Sequence, residues 1–364
     1  MKCFHCDNCD MMVFFENDHC VKCDEPLGFF PEAMKMSSKK RWMAHSSTNK
    51  SRHCANHDQH HVCNWMVPGQ DPDPFCRACR LNEVIPDLTV TGNPERWSKL
   101  EIAKRRCLYT FLQLGLPIES DNDEGRPALR FRFLGDSPNT PPVLTGHDNG
   151  VITINIAEAD SDERERRRLK LHEPYRTLIG HLRHETGHYY WDRLIADSPP
   201  LQEFRELFGD ETTDYNEALQ KYYQQGPAAN WTERTVTPYA SLHPWEDWAE
   251  TWAHYLHMVD TLETAASFRI GLNRTEREKG APKKNADKIS GDRRDFQRLL
   301  ADWQPLTCVL NSFNRGMGLP DLYPFVIPGA AVEKLRFVHK VIEDTALPPT
   351  SVDFKEKPAI NCRL

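Results

Sequence analysis

The amino-acid sequence predicts an α+β fold, in which small cysteine-rich modules precede a larger, mainly helical domain. Three observations support this prediction. Nine of the 12 cysteines precede residue 80, in a part of the chain too small to build much core without metal or cross-links. Long stretches with apolar residues at helical spacing follow. Two segments, 128–136 and 151–156, alternate between apolar and polar residues as strands do.

Composition defines the broad class of the protein. The chain has 364 residues and a formal net charge of -7, which does not favour general affinity for nucleic acid. No apolar run is long enough to cross a bilayer, and the first residues, MKCFHCDNCD, lack the apolar core of a signal peptide. We therefore expect a cytoplasmic protein with no membrane partner, whose clustered cysteines bind metal rather than form disulfides.

The first cysteine cluster contains two C-x-x-C pairs separated by ten residues: Cys6, Cys9, Cys20 and Cys23. Each pair turns two thiolates toward one point, so two pairs joined by a short hairpin close a tetrahedral zinc site. A module of this size has little core, and the metal supplies much of its folding free energy. Residues 1–34 are therefore predicted to form a zinc ribbon.

The second cluster has only one C-x-x-C pair and consists of Cys54, Cys63, Cys76 and Cys79. Four histidines lie in the same region, which leaves a mixed Cys/His site as an alternative: His53, His57, His60 and His61. We predict four cysteines around a second structural zinc ion. Residues 35–88 then comprise this module and a linker, because the serine- and lysine-rich stretch 35–52 is typical of an exposed loop.

The domain predicted over residues 89–346 begins with a helix. Asn93 can cap this helix, Pro94 suits its first turn, and Gly115 can end it. Its apolar stripe includes Cys107, which is therefore assigned to the core rather than to a metal. Two more helices are predicted at 296–318 and 331–344. The charged stretch 272–295 is predicted to be flexible, and the tail, 347–364, has no clear element.

The strongest chemical signal is the run His184-Glu185-Thr186-Gly187-His188, which fits H-E-x-x-H. Histidines four residues apart project from one helix face and can hold one zinc ion. Glu185 can take a proton from the attacking water, and Gly187 is expected to leave space beside the metal. A helix that merely carries two surface histidines and a glutamate is the alternative that the motif alone leaves open.

A catalytic zinc site needs a third protein ligand and an open position. The best candidates lie on a helix predicted to begin at Pro244, where Glu246 and Glu250 are four residues apart on one face. His254 and His257 lie further along the same helix. Spacing alone does not rank the two carboxylates.

Several segments together resemble a known family: FHCDNCDMMVFFENDHCVKCDEPLGFF, CNWMVPGQDPDPFCRACRLNEVIPDL, HLRHETGHYYW and EDWAETWAHYLH. The chain resembles the bacterial zinc-binding metallopeptidases with an N-terminal zinc ribbon, and its catalytic half is similar to lethal-factor-type gluzincins. The resemblance implies a zincin-like domain that binds zinc through His184, His188 and Glu246. It also implies that Glu250 supports a ligand histidine from behind. Tyr239, seven residues before Glu246, is then the donor to the oxyanion.

The sequence thus predicts a zinc metallopeptidase with one catalytic and two structural Zn²⁺ ions, acting on a peptide or protein. The strand VITINI is expected to receive an extended peptide along its edge. Two other functions remain open. One is an inactive adaptor whose ribbons bind protein or nucleic acid, although such an adaptor has no use for Glu185. The other is a SprT-like protease of DNA-bound proteins, with His254 or His257 as the third ligand.

Overall fold

The structure is a computed structural model that describes residues 1–44, 51–118, 127–137, 141–171, 176–272, 287–289 and 294–346. Helices predominate and the sheets are small, so the predicted α+β, mainly helical fold is confirmed. The chain divides into two compact units, of which one contains Phe4–Cys76 and the other contains Met1–Cys3 and Arg77–Ala346. The predicted tail and most of the charged stretch 272–295 lie outside the described residues.

Short elements and a small aromatic core form the N-terminal unit. Its strands pair as three antiparallel hairpins: β1 (Phe4–His5) with β2 (Met12–Val13), β3 (Leu27–Phe30) with β4 (Lys35–Ser38), and β5 (Arg52–His53) with β6 (Met66–Val67). Its helices are α1 (Lys39–Ala44) and α2 (Ala55–His60). The ring of Phe29 lies 4.9 Å from that of Phe15 and 5.1 Å from that of Trp65. The two cysteine modules therefore share one core.

Residues 35–38 are not the exposed linker that their composition predicts, whereas Lys39, Lys40 and Arg41, which follow them, are exposed. β4 pairs along its whole length with β3, and Ser37 and Ser38 are buried. Ser37 Oγ donates to Asp7 Oδ2 at 2.6 Å, and the Ser38 amide donates to Asp7 Oδ1 at 2.9 Å. The prediction was wrong because these polar groups find their partner in the first cysteine loop, which is distant in sequence. Residues 45–50 lie outside the described part of the chain.

The larger unit contains one four-stranded sheet. Its strands are β7 (Asn82–Val84), β8 (Arg130–Leu134), β9 (Gly146–Asp148) and β10 (Val151–Asn155). Their order is β7-β8-β10-β9, in which β8 is parallel to both of its neighbours and β9 is antiparallel to β10. The expectation that β10, the VITINI strand, offers a free edge is wrong, because β10 pairs on both sides. Among the described strands, β9 ends the sheet.

Nine helices and one small strand pair complete the described part of this unit. The helices are α3 (Asn93–Leu114), α4 (Ser161–Leu171), α5 (Leu178–Leu194), α6 (Leu201–Phe208), α7 (Tyr215–Gln225), α8 (Trp231–Arg234), α9 (Pro244–Ser267), α10 (Phe296–Gly316) and α11 (Gly329–Thr345). The strand pair is β11 (Gly271–Leu272) with β12 (Asp287–Lys288). In the described ranges no helix combines the length and apolarity that crossing a membrane requires.

The predicted first helix is confirmed as α3, with Cys107 buried in its core stripe. Gly115 follows α3 at a φ of 71°, the left-handed conformation that ends many helices. The N-terminal cap differs from the prediction. Gly92 is the cap residue, and Asn93 is already inside the helix, where its side-chain amide donates to Asp87 O at 2.9 Å.

Helices α5 and α9 make the most extensive contact between two elements of the larger unit. A Cβ atom at Gly187 would lie 2.9 Å from Ala249 Cα, which is closer than packed carbon atoms approach. The indole of Trp248 donates to Gly187 O at 2.8 Å. Gly187 is therefore required for the approach of the two helices, which corrects the expectation that it makes room beside a metal.

A buried ion pair links the start of α9 to α11. Lys334 Nζ contacts Asp247 Oδ2 and donates to Arg234 O at 2.9 Å. Both charged side chains are only 5% exposed. Since removing one partner of such a pair leaves an uncompensated buried charge, α11 holds the first turn of α9 in place.

We predict that Gly187→Ala separates α5 from α9, because the added methyl group cannot fit against Ala249. The expected loss is about 1–3 kcal/mol of unfolding free energy, as for other overpacked cores. Urea unfolding followed by tryptophan fluorescence measures it. Gly316→Ala is the matched control, since a Cβ there meets no atom within 4 Å. Equal stability of the two variants would contradict the proposed close contact.

Candidate metal centre

The first cysteine cluster forms the tetrahedral group that its spacing predicts. The Sγ atoms of Cys6 and Cys23 are 3.8 Å apart, and those of Cys9 and Cys20 are 3.5 Å apart. Thiolates about 2.3 Å from a tetrahedral zinc ion are about 3.8 Å from one another. Asn8 Nδ2 donates to Cys23 Sγ at 3.4 Å and lowers the pKa of Cys23 to about 6. Cys23 thus favours thiolate, the form that binds metal, whereas burial raises the pKa of Cys6 to about 12.

The second cluster also consists of four cysteines. The group that comes together is Cys54, Cys63, Cys76 and Cys79, all of them buried. The Sγ atoms of Cys63 and Cys76 are 3.6 Å apart. His57 instead uses its Nδ1 for the carbonyl of Cys63 at 2.8 Å, and the neighbouring His53 ring stacks on it at 4.0 Å. The geometry therefore favours four cysteines over the mixed Cys/His alternative.

Helix α5 presents the two histidines of the H-E-x-x-H motif on one face. Thr177 caps the helix by accepting a hydrogen bond from Gly180 N at 3.0 Å. One turn separates His184 from His188, and their Nε2 atoms lie 3.2 Å apart. The indole of Trp245 packs on His188 with ring centroids 4.1 Å apart, which restricts the orientation of that imidazole.

Glu246, in the first turn of α9, completes the group. Its Oε2 lies 3.0 Å from His184 Nε2 and 3.5 Å from His188 Nε2. Three N and O ligands about 2.0–2.2 Å from a tetrahedral zinc ion are about 3.3–3.5 Å apart, so the observed triangle fits that ion. Glu246 Oε2 is buried and accepts no hydrogen bond from any described residue. Facing acceptor atoms of this kind need a cation or a proton between them.

Glu250 lies behind His184 rather than in the group. Its Oε1 is 2.6 Å from His184 Nδ1, and its Oε2 accepts from Thr237 Oγ1 at 2.8 Å. An imidazole whose Nδ1 donates to a carboxylate keeps the Nε2 lone pair for a metal. The structure thus separates two carboxylates that spacing could not rank.

The electrostatics of the site are those of a cation-binding centre. Burial lowers the pKa of His184, but the carboxylates of Glu246 and Glu250 outweigh burial and hold that pKa well above its usual value. Burial raises the pKa of Glu246, but the imidazoles of His188 and His184 keep it well below its usual range. The carboxylates therefore stabilise positive charge at this point, which a metal ion can supply in place of a proton.

Two tyrosines stand beside Glu246, and only one of them was predicted. Tyr239 lies with its ring 6.0 Å from that of His184. Tyr215, on α7, donates its hydroxyl to Glu246 Oε1 at 2.7 Å. Burial, followed by the charge of Glu246, raises the pKa of both phenols. Sequence reasoning missed Tyr215 because it lies 31 residues before Glu246 and belongs to no motif.

The other candidate histidines are not part of the group. His254 Nε2 is 2.6 Å from Tyr323 OH, and burial lowers the pKa of His254 and of His257 to about 3. His181, one turn before His184, lies 2.5 Å from Glu158 Oε2. In the described residues, the structure therefore offers Glu246 rather than a histidine as the third ligand.

A cavity of about 820 Å³ opens beside the candidate metal site. Its wall includes His184, Glu185, Tyr239 and Glu250, so the predicted general base and the predicted oxyanion donor both face the same space. A space of this size is typical of a ligand site.

Comparisons with known proteins agree with this geometry. Residues 93–341 match a family described as "Putative zinc-binding metallo-peptidase", and residues 3–90 match a zinc-ribbon domain. The first match covers most of the chain, which therefore belongs to this family of zinc-binding metallopeptidases. Similar relatives are the uncharacterized proteins Rv2568c of Mycobacterium tuberculosis and Mb2598c of Mycobacterium bovis. Each is 40% identical over 349 residues, which cover 95% of this chain and 96% of the relative. No solved structure matches the chain.

We predict that wild-type protein retains about three zinc ions, one for each group, and that Glu246→Ala retains two. Glu250→Ala should retain three but bind the third about 10- to 100-fold more weakly, as expected when a supporting partner of a ligand is lost. Elemental analysis and competition with a chelator measure these values. His254→Gln serves as the control and should behave as wild type. Loss of the third zinc ion in His254→Gln but not in Glu246→Ala would reverse the assignment.

Proposed function

We propose that the chain is a zinc-dependent hydrolase of peptide bonds with a gluzincin-type centre formed by His184, His188 and Glu246. The observation that carries this proposal is the convergence of three donor atoms beside Glu185 at the wall of a cavity. Zinc bound there supplies Lewis acidity, which lowers the pKa of water and polarises a carbonyl. Membership of a metallopeptidase family supports the same chemistry.

Glu185 is the proposed general base. It follows His184 directly on α5, is 8% exposed and lines the cavity. A carboxylate in this position accepts a proton from the attacking water and returns it to the leaving nitrogen. Because Glu185 is not one of the three proposed ligands, its carboxylate oxygens remain available for the proton transfer.

Glu250 and Tyr239 have the proposed supporting roles. Glu250 fixes the ring of His184 through the 2.6 Å contact with Nδ1, so that Nε2 points toward Glu246. Tyr239 lies in the short segment just before α9 and lines the cavity. From there its hydroxyl can donate to the oxyanion that develops on the carbonyl.

The proposed substrate is an extended peptide segment of a peptide or protein. β9 ends the described sheet, and Leu144 and Thr145, which directly precede β9, line the cavity. A terminal strand offers unpaired backbone groups to which an extended peptide can add. We therefore propose that β9 takes the role that the sequence had suggested for β10.

The position of His254 favours this function over the SprT-like alternative, because its Nε2 is within hydrogen-bond distance of Tyr323 OH, at 2.6 Å. The adaptor alternative predicts no turnover at all, and the following experiment separates it from the proposal.

We predict that Glu185→Gln keeps its zinc ions but loses hydrolysis, because an amide cannot accept the proton of water. A cell extract is incubated with wild-type or variant protein, and new peptide N termini are quantified by mass spectrometry. Equal zinc contents serve as the control for folding. Turnover near the wild-type level in the variant would refute the mechanism. A zinc-replete wild type that produces no new termini would favour the adaptor.

We also predict that Tyr239→Phe retains zinc and slows the chemical step, by roughly 10²-fold in kcat if the hydroxyl serves the oxyanion. The measurement is steady-state kinetics on any peptide identified in the extract. A change confined to KM would show that Tyr239 contacts the substrate without assisting the reaction.

A further inference from the structure

We infer that Tyr215 is a positioning residue for Glu246, and that its hydroxyl holds this carboxylate in the orientation that binds the metal. The inference rests on the metal centre proposed above. It concerns the two oxygens of Glu246, which have different surroundings. Oε2 faces the Nε2 atoms of both histidines, whereas Oε1 accepts the hydroxyl of Tyr215 at 2.7 Å.

When a carboxylate binds a metal ion through one oxygen, the other oxygen must be kept from competing for the same metal ion. Glu246 is only 2% exposed, so water cannot readily satisfy Oε1 if the phenol is removed. The Tyr215 hydroxyl meets the need of Oε1 for a donor and restricts rotation of the carboxylate about its terminal bond. Loss of this hydroxyl would leave a buried acceptor unsatisfied and allow the two oxygens to exchange positions.

The position of Tyr215 is itself determined through His243. The His243 ring accepts a hydrogen bond at Nδ1 from Trp245 N at 3.1 Å. A neutral imidazole that accepts at Nδ1 carries its hydrogen on Nε2, and Nε2 is 3.1 Å from Thr213 O. His243 thus joins the start of α9 to the segment two residues before Tyr215. The Tyr215 ring also packs on His243, with centroids 5.4 Å apart.

The ring of Tyr215 packs on His243 and lies 6.3 Å from that of Trp245, so its hydroxyl is the part of the side chain that is specific to Glu246. No residue of α7 is buried, and Asp214 caps the helix by accepting from Glu217 N at 2.8 Å. The contact between Tyr215 and Glu246 therefore does not belong to a core that would require a tyrosine for packing alone.

A purely structural role for the hydroxyl makes a different prediction. If the hydroxyl only stabilises the fold, its loss lowers the stability of metal-free protein and leaves the affinity for zinc intact once the protein is folded. If it positions Glu246, its loss lowers the affinity of the folded protein for the third zinc ion, in addition to any fall in the metal-free melting temperature that the unsatisfied Oε1 causes.

The experiment compares full-length wild type with Tyr215→Phe, which keeps the aromatic ring and removes the hydroxyl. The third zinc equivalent is titrated in competition with a chelator that is too weak to remove zinc from the cysteine groups. Thermal unfolding is recorded on the same samples before zinc is restored to this site. Tyr223→Phe, on the same helix and 63% exposed, is the matched control for loss of a phenol hydroxyl from α7.

We expect Tyr215→Phe to bind the third zinc ion about 10- to 100-fold more weakly, with Tyr223→Phe within about twofold of wild type. Equal affinity of Tyr215→Phe and wild type would overturn this inference and leave the proposed function intact. A fall in affinity fully matched by Tyr223→Phe would also overturn it. A wild type that binds no third zinc ion would overturn both the inference and the proposed function.

Discussion

The close approach of α5 and α9 at Gly187 and Ala249 is the constraint on which the candidate site depends. The two histidines flank Gly187 on one helix, and the two carboxylates flank Ala249 on the other. Because the backbones touch at these small residues, the longer side chains one turn away meet across the contact instead of holding the helices apart. The donor atoms within 3.5 Å of one another are a consequence of that packing.

Features whose partners are near in the chain could be predicted from the sequence. The spacing within H-E-x-x-H or C-x-x-C directs its own side chains, because one helical turn or one tight loop determines where they point. The choice between Glu246 and Glu250 is of another kind, since both lie on one face of α9. It depends on how far α9 is displaced along α5, which no local pattern encodes. The family resemblance suggested Glu246, and the structure places its Oε2 within 3.5 Å of the Nε2 atoms of both imidazoles.

The features that the sequence did not reveal all depend on distant partners. Tyr215 reaches Glu246 from a separate helix, and the apolar spacing of α7 carries no sign of a metal site. The polar stretch 35–38 looked exposed because its partner, Asp7, lies about thirty residues earlier. The position of β10 inside the sheet could not be inferred either, since strand order is a property of topology and not of alternation within one strand.

The ion pair between Lys334 and Asp247 has a consequence for the smallest fragment that can keep the fold of the candidate site. Asp247 follows Glu246 directly, in the turn where α9 meets α5, and its carboxylate is buried against Lys334. A shortened chain that ends before α11 would retain every residue of the candidate site and yet leave a carboxylate without its partner in the core. The smallest unit that keeps the candidate site therefore extends at least to Lys334 on α11, which is 88 residues beyond Glu246.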